Sequence, residues 1–163
     1  MGEVPEVVVR VAVPGDGEMF ISLVLGLAEF EKLPPPDAAG RARLLEDAFG
    51  PRPRFAVLLA EAGGVAAGYA VFFETYSTFL ARPKLYLEDL FVSPGYRGRG
   101  VGLALFRACA AETVARGCAR MEWVVLDWNE PAIKFYERLG AEYESQWHIY
   151  GLGAEALSRL AGG

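Results

Sequence analysis

The 163-residue chain is long enough to bury a core of its own, and its 53% hydrophobic and 23% charged residues are typical of a globular protein rather than a disordered one. Its net charge of −5 argues against non-specific binding to nucleic acid. The same charge is compatible with a cationic substrate, and equally with an ordinary solvated surface.

Two cysteines, Cys109 and Cys118, and one histidine, His148, are too few for a Cys/His zinc site of the ordinary type. We therefore expect no metal and interpret the cysteines as small buried residues of a reducing compartment. His148 is interpreted as a structural residue. No apolar run is long enough to cross a membrane, and the acidic N-terminus does not resemble a signal peptide, so a cytoplasmic protein is expected.

The first half of the chain predicts a strand, two helices and a hairpin. Asp16 stands where it can cap the first helix, in which apolar residues recur at helical spacing. Consecutive prolines after Leu33 must end that helix. In chain order, the predicted elements are a strand over 7–13, a helix from Asp16 to Leu33, a helix over about 39–49, and strands over 55–61 and 65–74 around a glycine turn.

The second half predicts a strand, a helix and a buried strand, which together form a right-handed unit. Further helices and strands follow. In chain order, these are a strand over 85–92, a helix over about 100–116, a strand over 120–127 that is buried on both faces, a helix from Pro131 to about Gly140, one or two strands within 141–152, and a helix over 154–160.

An arginine- and glycine-rich loop separates the strand 85–92 from the helix that follows. It lacks the Gly-Lys-Ser/Thr ending of a Walker loop and the spacing of a Rossmann fingerprint. Backbone amides at the start of a helix bind anions, and glycines let an anion approach them. The loop therefore predicts a pyrophosphate site formed by residues Arg97, Gly98, Arg99, Gly100, Val101, Gly102 and Leu103. A plain glycine turn before a helix is the alternative.

These residues match a known motif. The run Arg97-Gly98-Arg99-Gly100-Val101-Gly102 resembles the acetyl-CoA pyrophosphate loop, Q/R-x-x-G-x-G/A, of the GNAT N-acetyltransferase superfamily. Within it, the chain resembles the spermidine/spermine acetyltransferase family, and especially its thialysine acetyltransferase branch. The segments that carry this likeness are Ala28-Glu29-Phe30-Glu31-Lys32-Leu33, Leu85-Tyr86-Leu87-Glu88-Asp89 and Val125-Leu126-Asp127-Trp128-Asn129-Glu130-Pro131.

The resemblance implies a fold, a cosubstrate and an oligomeric state. The fold is α/β, a single domain over residues 1–163 with a central, mostly antiparallel mixed sheet, helices on both faces and a splayed parallel strand pair that holds acetyl-CoA. The pantetheine arm would bond the backbone of Leu90, Phe91 and Val92. Asn129 and Ala132 would also touch the coenzyme, although Asn129 can cap its helix as well. A homodimer paired through the C-terminal strands is implied.

Acetyl transfer to an amine requires a base and an acid. A lysine-like amine has a pKa of about 10.4 and is almost wholly charged at neutral pH, so Glu88 is predicted as the base, directly or through one water. The alternative is an exposed strand-end carboxylate. Asp89 should point to the opposite face unless a bulge intervenes. The resemblance implies that Tyr136 is the acid that protonates the thiolate. Without the resemblance, Tyr136 would be interpreted as a half-buried packing residue.

The substrate residues also follow from the resemblance. Phe30 and Glu31 would line the amine pocket, with Glu31 pairing with a distal ammonium group or remaining a solvated helix-end charge. Glu122 would line the same groove. No Cys–His pair is evident, so direct attack in a ternary complex is expected.

The reaction implied is acetyl transfer to a small diamine, polyamine or lysine analogue. The alternatives are an acyl-CoA-binding sensor without turnover and an enzyme that acetylates protein lysines or N-termini.

Overall fold

A five-stranded sheet in the order β1-β2-β3-β4-β5 lies at the centre of the first part of the chain. Its strands are β1 (Val7–Val11), β2 (Ala56–Ala62), β3 (Val65–Ser77), β4 (Arg82–Val92) and β5 (Met121–Glu122). The first four strands pair antiparallel with their neighbours, and β5 pairs parallel with β4. The predicted mixed, mostly antiparallel sheet is confirmed.

The computed structural model describes residues 6–162, and the acidic N-terminal residues 1–5 lie outside that range. The chain divides after Val124 into two units. Within the described residues, the sheet and three α-helices belong to the first unit, and two short α-helices belong to the second.

Helices cover both faces of the sheet in the first unit. Helix α1 (Gly17–Glu31) and helix α2 (Ala38–Phe49) pack on one face, and α3 (Val101–Ala115) packs on the other. Helix α1 ends before the prolines, as predicted, with Lys32 in the left-handed region at φ 58°. The carboxylate of Asp37 caps α2 by accepting a hydrogen bond from the N–H of Gly40 at 2.7 Å.

Each face has its own apolar core. Under α1, Phe20 and Leu23 pack against Tyr69 and Phe91 of the sheet. A Cβ at Gly26 would lie 3.1 Å from the Phe91 ring, so glycine lets α1 approach β4 closely. Under α3, the buried side chains are Val101, Leu105 and Cys109 from the helix and Leu58, Phe72, Leu85 and Leu87 from the sheet.

Asp16 does not cap α1 through its side chain, which differs from the prediction. Its carboxylate instead accepts two hydrogen bonds from Arg10, at 2.7 and 2.8 Å, and one from the N–H of Val13 at 2.7 Å. These bonds, those from Arg10 above all, lower the pKa of Asp16 to about 2. The pair therefore ties β1 to the start of α1.

The predicted strand over 120–127 is mostly wrong. Only Met121 and Glu122 are in a strand, and they pair with Leu85 and Tyr86 of β4. The residues that follow were expected to be buried on both faces, yet Val124 is 55% exposed. The apolar run could not reveal this, because β-branched residues favour a strand only where a partner strand is present.

The second unit contains helix α4 (Glu130–Arg138) and helix α5 (Ala154–Ala161), both close to their predicted positions. Pro131 occupies the first turn of α4. The strands predicted within 141–152 are absent from the described chain, since that segment has no partner strand there. None of the helices within residues 6–162 combines the length and apolar character needed to cross a bilayer.

Candidate active site

A β-bulge in β4 determines the direction of the predicted base. The register between β3 and β4 places Val71 opposite Asp89 and Phe72 opposite Leu87, so Glu88 is an extra residue. Leu87 packs into the core under α3, whereas Glu88 and Asp89 both line a cavity on the α1 face. The expectation that the two carboxylates point to opposite faces holds only for a regular strand, and this strand is irregular.

The cavity beside this bulge has a volume of about 420 Å³. Apart from Glu88 and Asp89, its lining is apolar and includes Phe20, Phe55 and Phe73. A small molecule fits a space of this size. Two carboxylates in an aromatic surround favour a ligand with both positive charge and a hydrocarbon part.

Asp89 accepts a hydrogen bond at 2.9 Å between its Oδ2 and the hydroxyl of Tyr69. Burial raises the pKa of Asp89 to about 6, the Tyr69 hydrogen bond opposes that rise, and the charges of Glu88 and Glu31 add to it. Burial also holds the pKa of Tyr69 far above its usual range. At neutral pH, Asp89 is therefore a carboxylate close to its titration point.

Only a weak signal in the residues points to the roles of Asp89 and Tyr69. The β4 residues that face α3 are odd-numbered before the bulge, at Leu85 and Leu87, and even-numbered after it, at Leu90 and Val92. One extra residue in a strand produces this change. Phe91 obscures the pattern because it is apolar too. Tyr69 lies within an apolar run of β3, and nothing local distinguishes its hydroxyl from that of any half-buried tyrosine.

Phe30 and Glu31 lie at the C-terminal end of α1, as predicted. Burial raises the pKa of Glu31. Phe30 lines a second cavity, of about 270 Å³, together with Phe91 and Arg97. Phe30 thus faces β4, but neither residue lines the cavity that holds Glu88 and Asp89. Contact of Phe30 and Glu31 with a substrate remains a prediction.

Glu122 is held by two cations. Lys84 Nζ lies 2.7 Å from its carboxylate and Arg120 Nε lies 3.3 Å from it. Because these partners offset its charge, Glu122 attracts a substrate cation less strongly than an unpaired carboxylate in the same place would. Its role as a substrate residue stays a prediction.

The glycine loop has the backbone that a pyrophosphate site requires. Gly98 and Gly100 have φ of 73° and 80°, and no atom lies within 4 Å of a Cβ built on either. Gly100 precedes the first residue of α3, and no side chain caps the helix there. The first-turn amides, which have no intrahelical partner, and the positive end of a 15-residue helix therefore face the open loop. These residues fit an acetyl-CoA pyrophosphate.

The two arginines of the loop are already oriented. Arg97 Nε donates to the carbonyl oxygen of Val92 at 3.0 Å, and its guanidinium lies 4.7 Å from the centre of the Phe30 ring. The Arg99 guanidinium lies 5.8 Å from the Tyr96 ring. Arg97 thus joins the loop to both β4 and the end of α1.

Along the end of β4, the backbone N–H and C=O groups of successive residues point alternately toward β3 and toward the opposite edge of the strand. The N–H of Ser93 donates to a carbonyl at the start of β3, so Phe91, two residues earlier, also faces β3. Leu90 and Val92 face the edge beyond the end of β5. Of the three residues predicted to bond pantetheine, Leu90 and Val92 are the two whose backbone lies on this edge.

The remaining predicted residues belong to the second unit. Asn129 caps α4, since its Oδ1 accepts a hydrogen bond from the N–H of Ala132 at 3.4 Å. Tyr136 lies on α4, half-buried, with its ring centre 5.4 Å from that of Phe135. Their roles toward a coenzyme or a thiolate stay predictions.

The cysteines are unsuited to nucleophilic attack. Both are free thiols. Burial raises the pKa of Cys109 to about 12 and also raises that of Cys118. Neither forms the thiolate readily, which favours direct attack by the amine over an acyl-cysteine route. Within residues 6–162, no three His, Cys, Asp or Glu side chains are grouped to hold a metal ion.

Known proteins resemble this chain in both sequence and fold. The sequence profile of the acetyltransferase (GNAT) family matches residues 24–141. The thialysine N-epsilon-acetyltransferase of Bos taurus is 35% identical over 96% of this chain and 98% of its own. The spermidine/spermine N(1)-acetyltransferase-like protein 1 of Homo sapiens is 30% identical over 94% of this chain and 23% of its own.

Solved structures share the fold. An integron cassette protein from V. cholerae matches with a TM-score of 0.80 at 23% identity, over 96% of this chain and 98% of that one. The profile match and the nearly end-to-end bovine relative confirm the family predicted from the glycine loop. The chain belongs to the acetyltransferase (GNAT) family and is an acetyl-CoA-dependent N-acetyltransferase.

Proposed function

We propose that this enzyme acetylates a primary amine of a small diamine, polyamine or lysine analogue such as thialysine. The observation that carries the proposal is the bulge, which places Glu88 and Asp89 in one cavity. The names of the bovine and human relatives, thialysine and spermidine/spermine acetyltransferases, support the same class of substrate.

A cationic substrate fits the charge around this cavity. Glu88 and Asp89 line it, and Glu31 is close enough for its charge to raise the pKa of Asp89. The combined negative charge of these three carboxylates is larger than the positive charge of a single ammonium group. A substrate with a second ammonium group, paired with Glu31, balances this charge better than a monoamine does.

Acetyl-CoA supplies an activated acetyl thioester. In the first unit, the amides at the start of α3 and the guanidinium groups of Arg97 and Arg99 would hold the pyrophosphate. The edge-facing backbone of Leu90 and the N–H of Val92 would hold the pantetheine arm, since the carbonyl oxygen of Val92 already accepts a hydrogen bond from Arg97. Asn129 and Ala132 of the second unit would also contact the coenzyme, as the family resemblance implies.

In the proposed reaction, the carboxylate of Glu88 accepts a proton from the ammonium group, directly or through one water. The neutral nitrogen then attacks the acetyl carbonyl carbon, so that a C–N bond forms and the C–S bond breaks. As the C–S bond breaks, the hydroxyl of Tyr136 gives its proton to the departing sulfur. A phenol with a pKa of about 10 and a thiol with a pKa of about 8.5 are matched closely enough for this transfer. The nitrogen loses its second proton as the amide forms, and a proton returned through water restores the Tyr136 hydroxyl.

The experiment measures thiol release from acetyl-CoA with a panel of thialysine, lysine, putrescine, spermidine, spermine, an aminoglycoside, linear alkyl monoamines of matching length and a lysine-containing peptide. We expect turnover with diamines or thialysine and little with monoamines of equal length. Turnover with the peptide alone would overturn the proposal in favour of a protein-directed enzyme. Binding of coenzyme A without turnover across the panel would favour a sensor.

We also propose that the enzyme is a cytoplasmic homodimer. The exposed aromatic and aliphatic side chains of Trp147, Ile149 and Tyr150 support pairing through the C-terminal segment. Light scattering on the purified chain tests the oligomeric state, and a monomer at micromolar concentration would contradict it. Fractionation of the source cells tests the location.

A further inference from the structure

Tyr69 places one polar atom deep in an aromatic core. It lies at the centre of β3, its side chain is 0% exposed, and its ring centre is 5.6 Å from that of Phe20 in an edge-on contact. The Phe91 ring lies 6.3 Å away on another side. Because the ring is fixed by these contacts, its hydroxyl has a fixed position as well.

That hydroxyl points at the bulge. It donates to Oδ2 of Asp89 at 2.9 Å, from the strand next to β4. Asp89 in turn lines the same cavity as Glu88. A hydrogen bond from a rigid donor fixes the orientation of a carboxylate and favours its charged form.

The groups facing Asp89 otherwise oppose its charge. Glu88 on its own strand and Glu31 at the end of α1 are both negative, and burial removes the stabilising effect of water. Burial, Glu88 and Glu31 all raise the pKa of Asp89, whereas the hydrogen bond from the Tyr69 hydroxyl on β3 lowers it. Loss of this hydroxyl would leave a buried carboxylate that takes up a proton more readily.

We propose that Tyr69 is a positioning residue that holds Asp89 as an oriented carboxylate beside Glu88, so that the cavity keeps two negative charges for the substrate ammonium. This role rests on the proposed function, since it is the amine that the two charges attract. Tyr69 does not touch the substrate. It acts through Asp89: by keeping that carboxylate charged, it maintains amine binding as the pH falls toward the pKa of Asp89.

The main test is the pH dependence of kcat/KM for the Tyr69→Phe variant. We expect the midpoint on the acid side to move upward by about one pH unit, as loss of a hydrogen bond to a charged group predicts. The KM for the amine should rise several-fold near neutral pH and recover as the pH is raised, while kcat changes less. The matched control is Tyr76→Phe, which removes the same atom from the exposed end of β3 and should leave the profile unchanged.

A second readout does not require turnover. The carboxyl carbon of Asp89 is titrated by NMR in the wild type and in Tyr69→Phe, with the signal assigned by its loss in Asp89→Asn. We expect a midpoint at about 6 in the wild type and a higher one in the variant. In the Asp89→Asn background, adding Tyr69→Phe should not shift the pH profile further.

The outcomes separate this inference from the proposed function. If Tyr69→Phe lowers kcat/KM equally at every pH and the Asp89 midpoint does not move, Tyr69 only fills space and the inference is overturned. If the wild type acetylates none of the small amines but the Asp89 midpoint still moves, the proposed function fails and the Tyr69–Asp89 link is supported.

Discussion

Glu88 and Asp89 are consecutive residues whose side chains line the same cavity, because Glu88 is the extra residue of a bulge opposite the Val71–Phe72 step of β3. In a regular strand, neighbours point to opposite faces. The bulge therefore produces a pair of carboxylates on one side of the sheet, at the end of the parallel strand pair.

Replacing Glu88 with Gln removes the proposed base and keeps the side chain close to its original size. We expect kcat to fall about 10²- to 10⁴-fold, the usual contribution of a proton-transfer group. Steady-state kinetics with the best amine of the panel measures it. The control is Glu155→Gln on the exposed face of α5, and a Glu88→Gln enzyme that matches this control would remove Glu88 from the mechanism.

Replacing Tyr136 with Phe removes the proposed acid. We expect kcat to fall about ten- to ten-thousandfold with little change in the KM for acetyl-CoA, since the lost proton transfer affects only the chemical step. Single-turnover measurements separate the chemical step from product release. A rise in KM at unchanged kcat would show instead that Tyr136 is a packing residue.

Replacing Glu31 with Gln tests the second ammonium group. We expect the KM for a diamine to rise by about tenfold, the effect of losing one partly buried charge contact, and the KM for a monoamine of the same length to stay nearly constant. The ratio of the two KM values is the measurement. An equal change for both amines would place Glu31 away from the distal ammonium group.

Replacing Gly100 with Ala strains the pyrophosphate loop. Because Gly100 has φ of 80°, a Cβ costs about 1 to 2 kcal/mol there, and we expect a higher KM for acetyl-CoA with little change in the KM for the amine. Gly95→Ala is the matched control, as Gly95 lies in the same segment, has open space around it and is not among the positive-φ glycines. If both variants behave alike, backbone conformation at Gly100 has no part in coenzyme binding.

The Arg10–Asp16 pair predicts a pH dependence of stability. The pKa of Asp16 is lowered from 3.8 to about 2 in the folded chain, so its contribution is complete above the unfolded value and is lost as the pH falls from about 4 to about 2. We expect Asp16→Asn to reduce the free energy of unfolding by about 2 kcal/mol at neutral pH and by much less near pH 2. Urea unfolding at several pH values measures this. A constant difference across that range would mean that the pair acts only through packing.

The helices, the first turn between strands and the coenzyme loop could be read directly from the residues. Helix α1 ends before its prolines and the Gly63–Gly64 turn joins β2 to β3, because each signal acts over a few neighbouring residues. The glycine loop before α3 is local in the same sense. It was sufficient to indicate the family, and the comparisons confirm that assignment.

Strand extent was poorly predicted because a strand depends on its partner. The residues after Glu122 are as β-rich as those before, yet β5 stops there, and the apolar segment around Trp147 forms no strand in the described chain. Apolar composition expresses a preference for burial, whereas hydrogen bonding between strands decides whether a ladder forms.

The sequence by itself determined the helices, the turns, the anion-binding loop and the presence of two adjacent carboxylates. Only the tertiary structure decided that those carboxylates face one cavity, that Tyr69 donates to Asp89, and that Arg97 joins the loop to the edge of β4. The physical reason is range. Helix caps and turns depend on residues a few positions apart, while the bulge and the buried hydrogen bond depend on the packing of α1 and the register of two strands across the sheet.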